Sequence, residues 1–103
     1  MKTFFDSIFI DRKKLQEEDI HYPIKIEYYK TIAREENVEA KYGIEIVKTE
    51  YIDGNVKIET SKNDYVASNV NEADRILTVL RNNEVTPIGM QDVLDDMFAN
   101  IWK

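Results

Sequence analysis

The chain has no cysteine and a single histidine, His21, among its 103 residues. Without a thiol it cannot supply a thiolate nucleophile, a disulfide or a zinc site built on cysteine. One imidazole serves as a catalytic base only beside a nucleophile and an orienting group, and we find no motif that supplies them. These absences point away from an enzyme and from a bound cofactor, and towards a protein that acts by binding.

Basic residues are fewer than acidic ones, 14 against 20, and the formal net charge is −6. An acidic surface repels phosphate backbones, so we expect no nucleic-acid partner. No stretch approaches the ~18–20 apolar residues of a membrane span. Asp6 and the charged run at 11–14 interrupt the apolar N-terminus too early for a signal peptide. We therefore expect a cytoplasmic protein with no membrane partner.

Alternation of apolar and polar residues predicts strands in the first two thirds of the chain. The alternation is clearest over 24–35 and over 40–52. A further strand is predicted at 56–60, with a short edge strand at 65–66. The apolar run at 4–10 fits either one face of a helix or a short strand, because periodicity does not decide so short a segment.

The Asp53-Gly54 dipeptide is the strongest hairpin signal in the chain. A two-residue loop there would put Val56 and Ile58 on the face opposite to the isoleucines of the preceding strand. A three-residue loop, 52–54, would put all of them on one face. Because apolar side chains should share the buried face, we predict the three-residue loop, with Gly54 in the left-handed conformation.

Two helices are predicted after the strands. The first begins at Asn69 or Asn71, both competent N-caps, and ends at 82–83. The second spans about 89–102, with an apolar stripe at helical spacing.

Strands first and helices last predict an α+β fold. We expect an antiparallel β-meander of three to four strands followed by two C-terminal helices packed on one face. We divide the chain into an N-terminal segment, 1–22, that covers the sheet or contacts a partner, and a single α+β domain, 23–103.

Four short segments carry a resemblance to a known family: Tyr28-Tyr29, YGIEIV at 42–47, NEVTPI at 83–88 and DVLDDMF at 92–98. In order and spacing they resemble a family of short bacterial proteins of unknown function that is common in spore-forming anaerobes. The resemblance covers about residues 28–98. It implies a bacterial, cytoplasmic, single-domain protein, carries over no catalytic residues and leaves the function open.

The N-terminal apolar cluster and the tyrosines of the strands are the best candidates for a binding surface. We expect contacts to a partner at Phe4, Phe5, Phe9, Tyr28, Tyr29 and Tyr51. Aromatic anchors inside a polar rim are typical of protein–protein interfaces. The sequence therefore favours a non-catalytic regulatory or interaction domain that binds another protein or a second copy of itself as a homodimer.

Two other functions stay open. An acidic inhibitor that mimics nucleic acid would array carboxylates along one exposed face at phosphate-like spacing. A carboxylate-dependent hydrolase or metal binder would use Asp92, Asp95 and Asp96, which are spaced at i, i+3 and i+4 on the last predicted helix. A concave pocket that encloses these three with a further ligand would favour the second function.

Overall fold

A computed structural model describes residues 1–10, 23–33, 41–52 and 54–101. One antiparallel sheet has the strand order β1-β2-β3-β4. The strands are β1 (Lys2–Ile10), β2 (Ile24–Ala33), β3 (Lys41–Ile52) and β4 (Asn55–Ala67), and the helices that follow are α1 (Val70–Asn82) and α2 (Met90–Ile101). The predicted α+β class, a β-meander followed by two C-terminal helices, is confirmed.

The N-terminal apolar run forms a strand, which settles the choice between helix and strand. β1 pairs with β2 along its length, with Phe5 as an extra residue in a bulge between Phe4 and Asp6. The strand extends the sheet at its edge and does not cover a face of it. Residues 11–22, which complete the predicted N-terminal segment, lie outside the described residues.

The helices pack on one face of the sheet. Side chains alternate along a strand, so every second residue of β2 and β3 points towards the helices. The core residues of these strands are Ile24, Ile26, Tyr28, Ile44 and Ile46. Their partners on the helices are Ala73, Ile76, Leu77, Leu80, Met90 and Leu94. Contact between these two layers of mostly aliphatic side chains supplies the hydrophobic stabilisation of the fold.

Both ends of α1 have local signals that fix them. The side-chain oxygen of Asn69 accepts a hydrogen bond from the backbone N–H of Glu72 at 2.8 Å, so Asn69, and not Asn71, is the N-cap of the two that were predicted. At the other end the N–H of Val85 donates to the carbonyl of Leu80 at 3.0 Å, and Glu84 has a left-handed φ of 51°. This is a Schellman motif, and it turns the chain so that Val85 is buried.

Tyr28 joins the centre of the sheet to the turn between the helices. Its side chain is 0% exposed, and its hydroxyl donates to the carbonyl oxygen of Val85 at 2.8 Å. Burial raises the pKa of Tyr28 to about 12, which keeps the hydroxyl protonated as a donor. The expectation that Tyr28 contacts a partner is therefore wrong, because Tyr28 is a core residue.

The hairpin between β3 and β4 has a two-residue loop, so the predicted three-residue loop is wrong. Tyr51 pairs with Val56, and Ile52 pairs with Asn55. Gly54 has a φ of 82°, and its predicted left-handed conformation is confirmed.

Opposite charges explain this register. Lys48 lies directly across from Glu59, and its Nζ is 3.4 Å from the Glu59 carboxylate and 2.9 Å from that of Glu50. The predicted register would have placed Lys48 and Glu50 opposite apolar side chains, which wastes the cross-strand ion pairs. The observed register instead directs Val56 and Ile58 to the face of the sheet opposite to the helices.

The strands predicted separately at 56–60 and 65–66 form one continuous strand, β4, which bulges where it passes Gly43. A Cβ atom on Gly43 would collide with the carbonyl oxygen of Asn63 and the hydroxyl of Thr31, and it would lie 2.8 Å from the carbonyl carbon of Asp64. Only glycine allows the two backbones to come this close.

We expect Gly43→Ala to lower the free energy of unfolding by about 1–3 kcal/mol, because the added methyl group must displace the β4 backbone. Gly89→Ala is the matched control, since a Cβ there meets nothing within 4 Å, and its effect should stay below about 1 kcal/mol. Urea denaturation of the three proteins measures the difference. Equal stability of Gly43→Ala and the wild type would contradict the close approach.

Tyr28→Phe should reduce the free energy of unfolding by about 1–3 kcal/mol, because it leaves the buried carbonyl of Val85 without a donor. Tyr29→Phe also removes a hydroxyl, which donates to Glu27, but water replaces it at this half-buried position, so the loss should be smaller. Thermal and urea unfolding of both variants test this ranking. Losses of the same size would argue against a structural role for the Tyr28 hydroxyl.

Candidate functional site

Neither described helix packs on the second face of the sheet, which we call the open face. Aromatic and aliphatic side chains from all four strands lie on it: Phe4, Phe9, Tyr29, Val47, Tyr51, Val56 and Ile58. The side chains of Phe9 and Ile58 are each 62% exposed, Val56 is 57% exposed and Phe4 is 54% exposed. Large apolar side chains this exposed, on one face of a sheet, mark a candidate contact surface.

The predicted contact residues divide between the open face and the core. Those on the open face are Phe4, Phe9, Tyr29 and Tyr51. Phe5, at the bulge, is half-buried and packs against the core cluster, and Tyr28 is buried within that cluster.

Sequence reasoning missed Val56 and Ile58, because it placed them towards the helices. Two signals together would have found them. The dipeptide at 53–54 is typical of a two-residue hairpin loop, and that loop also brings Lys48 opposite Glu59.

The apolar residues of the open face are densest at the hairpin end. One row crosses the sheet from edge to edge in the order Phe9, Lys25, Thr49 and Ile58. Tyr51 and Val56 form the next pair towards the loop. Thr49 is only 8% exposed, so its neighbours already shield it, while Tyr51, Val56 and Ile58 are exposed.

A second cluster holds aromatic rings near the other end of the open face. The rings of Phe4 and Tyr29 meet edge to face, with centroids 5.7 Å apart, and the Nζ of Lys2 lies 4.5 Å from the centroid of Tyr29. The hydroxyl of Tyr29 donates to Glu27 at 2.6 Å, and this bond to a carboxylate raises the pKa of Tyr29 to about 12. These contacts hold the Tyr29 ring in one orientation.

Charges of both signs are interleaved on the open face. The lysines are Lys2, Lys25, Lys41 and Lys62, and the glutamates are Glu27 and Glu45. Lys2 lies 3.4 Å from the carboxylate of Glu45, and Lys25 lies 3.9 Å from that of Glu27. The acidic excess of the chain is therefore not on this face, and the face does not electrostatically exclude an acidic or a neutral partner.

Asp92, Asp95 and Asp96 are exposed along α2 and line one side of a concave surface between the helices. Among the residues that the structure describes, no three histidine, cysteine, aspartate or glutamate side chains are placed to hold a metal ion. His21 lies outside the described residues. The pocket that would favour a metal binder is thus present, and the further ligand is not found in the described part of the chain.

Neither described helix has the length and apolar content needed to cross a bilayer.

Comparison with known proteins gave a match to one family model, over residues 6–100. This match is longer than the resemblance over 28–98 and includes most of β1. Searches of curated proteins and of solved structures gave no match. The chain therefore belongs to the family of unknown function DUF6514.

Proposed function

We propose that this chain is a non-catalytic protein-interaction domain that forms a homodimer through its open face. The observation that carries the proposal is the exposure of Phe4, Phe9, Val56 and Ile58 on one uncovered face of a sheet. A sheet with an apolar face is stable in water when another layer covers that face. The helices cover one face, and a second copy of the chain covers the other.

The shape of the open face suits packing of one sheet on another. Strands about 4.8 Å apart and about ten residues long give a face of roughly 19 by 33 Å. Because side chains make the surface uneven, the accessible area of such a face is larger than this rectangle and approaches the ~800 Å² per partner of a stable interface. Two open faces would pack as a β-sandwich with strands nearly aligned, leaving the helices on the outside.

The charges of the open face support a second copy as the partner. Lys25 and Glu27 are neighbours on this face of β2 and carry opposite charges. A two-fold axis near the centre of the face brings lysines of one copy close to glutamates of the other, because the same patch is used twice in opposite orientation. A face of one sign would repel its copy, and this face has both.

We further propose a regulatory role in the cytoplasm, with which the lack of cysteine and the net charge of −6 are compatible. Mimicry of nucleic acid is less well supported, since carboxylates on the sheet, such as Glu45, Glu50 and Glu59, have lysine partners. Paired carboxylates do not present the free array of negative charge that a phosphate backbone presents.

Light scattering over a range of concentrations tests the homodimer. Wild type should have twice the chain mass of 12.1 kDa, and Ile58→Lys should be monomeric, because it places a charge among the packed apolar side chains. Ile88→Lys is the matched control, because Ile88 is 80% exposed outside the sheet and its replacement should leave the dimer intact.

Circular dichroism establishes that both variants keep the fold. A wild-type protein that stays monomeric at about 1 mM, where even a weak dimer forms, would overturn the proposal. So would a dimer that persists in Ile58→Lys.

A further inference from the structure

The concave surface between α1 and α2 lies on the side of the sheet opposite to the open face. We call it the helix groove; its volume is about 820 Å³. Its apolar floor includes Val79, Val93 and Met97, and its rim includes Asp92, Asp95 and Asp96. Apolar side chains at the bottom and charges of one sign at the edge together define what the groove can accommodate.

The floor exists because α2 has more apolar surface than the sheet covers. Met90 and Leu94 are buried in the core, at 1% and 0% exposure. Val93 and Met97, on the adjoining strip of the same helix, are only half-buried. Val79 of α1 is half-buried as well and faces the same groove. The two helices thus leave a strip of aliphatic and thioether surface in contact with water.

The three aspartates of the rim differ in their ion pairing from Asp74 and Glu72, two other acidic residues of the helical layer. Asp74 on α1 pairs with Lys30, and Glu72 pairs with Arg75. No lysine or arginine in the described part of the chain forms an ion pair with the three aspartates of the rim, which are all exposed. Gln91 donates a hydrogen bond to Asp95 at 2.8 Å, but it brings no positive charge.

Like charges at i, i+3 and i+4 destabilise a helix slightly, and only the first of these carboxylates lies in the first turn, where the helix dipole favours it. A cationic ligand would relieve this repulsion. The charge of the rim therefore selects a basic occupant, and the floor selects an apolar one.

We propose that the helix groove binds a basic amphipathic helix of another protein. A helix satisfies its own backbone hydrogen bonds and presents apolar residues at i, i+3, i+4 and i+7, which match a groove between two helices. Lysine or arginine residues beside that stripe would meet Asp92, Asp95 and Asp96. Met97 supplies a flexible, polarisable contact that adapts to different apolar partners.

A second copy of the chain does not fit this groove in the same way. Two grooves facing each other would bring their carboxylate rims together, and like charges in contact oppose association. The proposal is independent of the homodimer, because two copies packed by their open faces keep their helices on the outside. Failure of either proposal leaves the other standing.

Titration with a synthetic peptide tests the groove. The probe is a peptide of about 15 residues, made of leucine and lysine at helical spacing, with a scrambled peptide of the same composition as its control. Fluorescence anisotropy at low and high salt measures the dissociation constants. Wild type should bind the patterned peptide at least about tenfold more tightly than the scrambled one, and high salt should weaken this binding.

Two variants locate the site. The triple variant D92N/D95N/D96N should lose about tenfold in affinity, because three exposed charge pairs are removed, and Met97→Gln should also weaken binding. Asp64→Asn, which removes an exposed carboxylate of β4 that is paired with Lys62, is the control and should leave the affinity unchanged.

Several outcomes would overturn the proposal: no binding of the patterned peptide, equal binding of the scrambled peptide, an unchanged affinity in the triple variant, or an equal loss in Asp64→Asn. Equal binding of the scrambled peptide or an equal loss in Asp64→Asn would show that the overall negative charge of the chain, and not the groove, attracts the peptide.

Discussion

The pairing of Lys48 with Glu59 across the β3–β4 hairpin is the constraint on which the surface of this protein depends. Lys48 is largely shielded, lies between Glu50 and Glu59, and keeps the pKa of Glu59 below its ordinary value. Because side chains alternate along a strand, the register that satisfies these charges also determines what faces the other way. It directs Val56 and Ile58 away from the helices, so an interaction on one face of the sheet creates the apolar surface of the opposite face.

In the described part of the chain, the helical layer is attached to the sheet by apolar packing, by the buried hydrogen bond between Tyr28 and Val85, and by less buried pairs such as Lys30 with Asp74. The Schellman motif at the end of α1 places the carbonyl of Val85 over the sheet, where the hydroxyl of Tyr28 reaches it. This bond fixes where the chain leaves α1, and therefore where α2 starts. Only part of the apolar stripe of α2 reaches the core, which leaves the floor of the helix groove. The two candidate surfaces thus have different origins: strand register produces the open face, and helix placement produces the groove.

Local signals in the sequence predict the elements well. Asn69 as the N-cap of α1, Gly54 in a left-handed turn and the order of strands and helices could all be inferred, because each depends on residues close in the chain. The register was predicted wrongly, because the apolar pattern favoured a three-residue loop, whereas the Asp53-Gly54 dipeptide and the pairing of Lys48 with Glu59 favour the two-residue loop. The frequency of tyrosine at interfaces led to Tyr28 being expected as a contact, although alternation places it on the same face of β2 as Ile24 and Ile26. The predicted loop length placed Ile58 towards the core.

Intermolecular nuclear Overhauser effects measure the central claim most directly, that the open face is covered by a second copy of the chain. In a mixed sample of ¹³C-labelled and unlabelled protein, the account predicts cross-peaks between the methyl groups of Val56 or Ile58 in one copy and aromatic protons of the other. A nuclear Overhauser effect is observed only between protons that are close in space, so these cross-peaks require that the side chains of the two copies pack against each other. Cross-peaks that come only from the helices, or none at all in a sample shown to be dimeric, would contradict it.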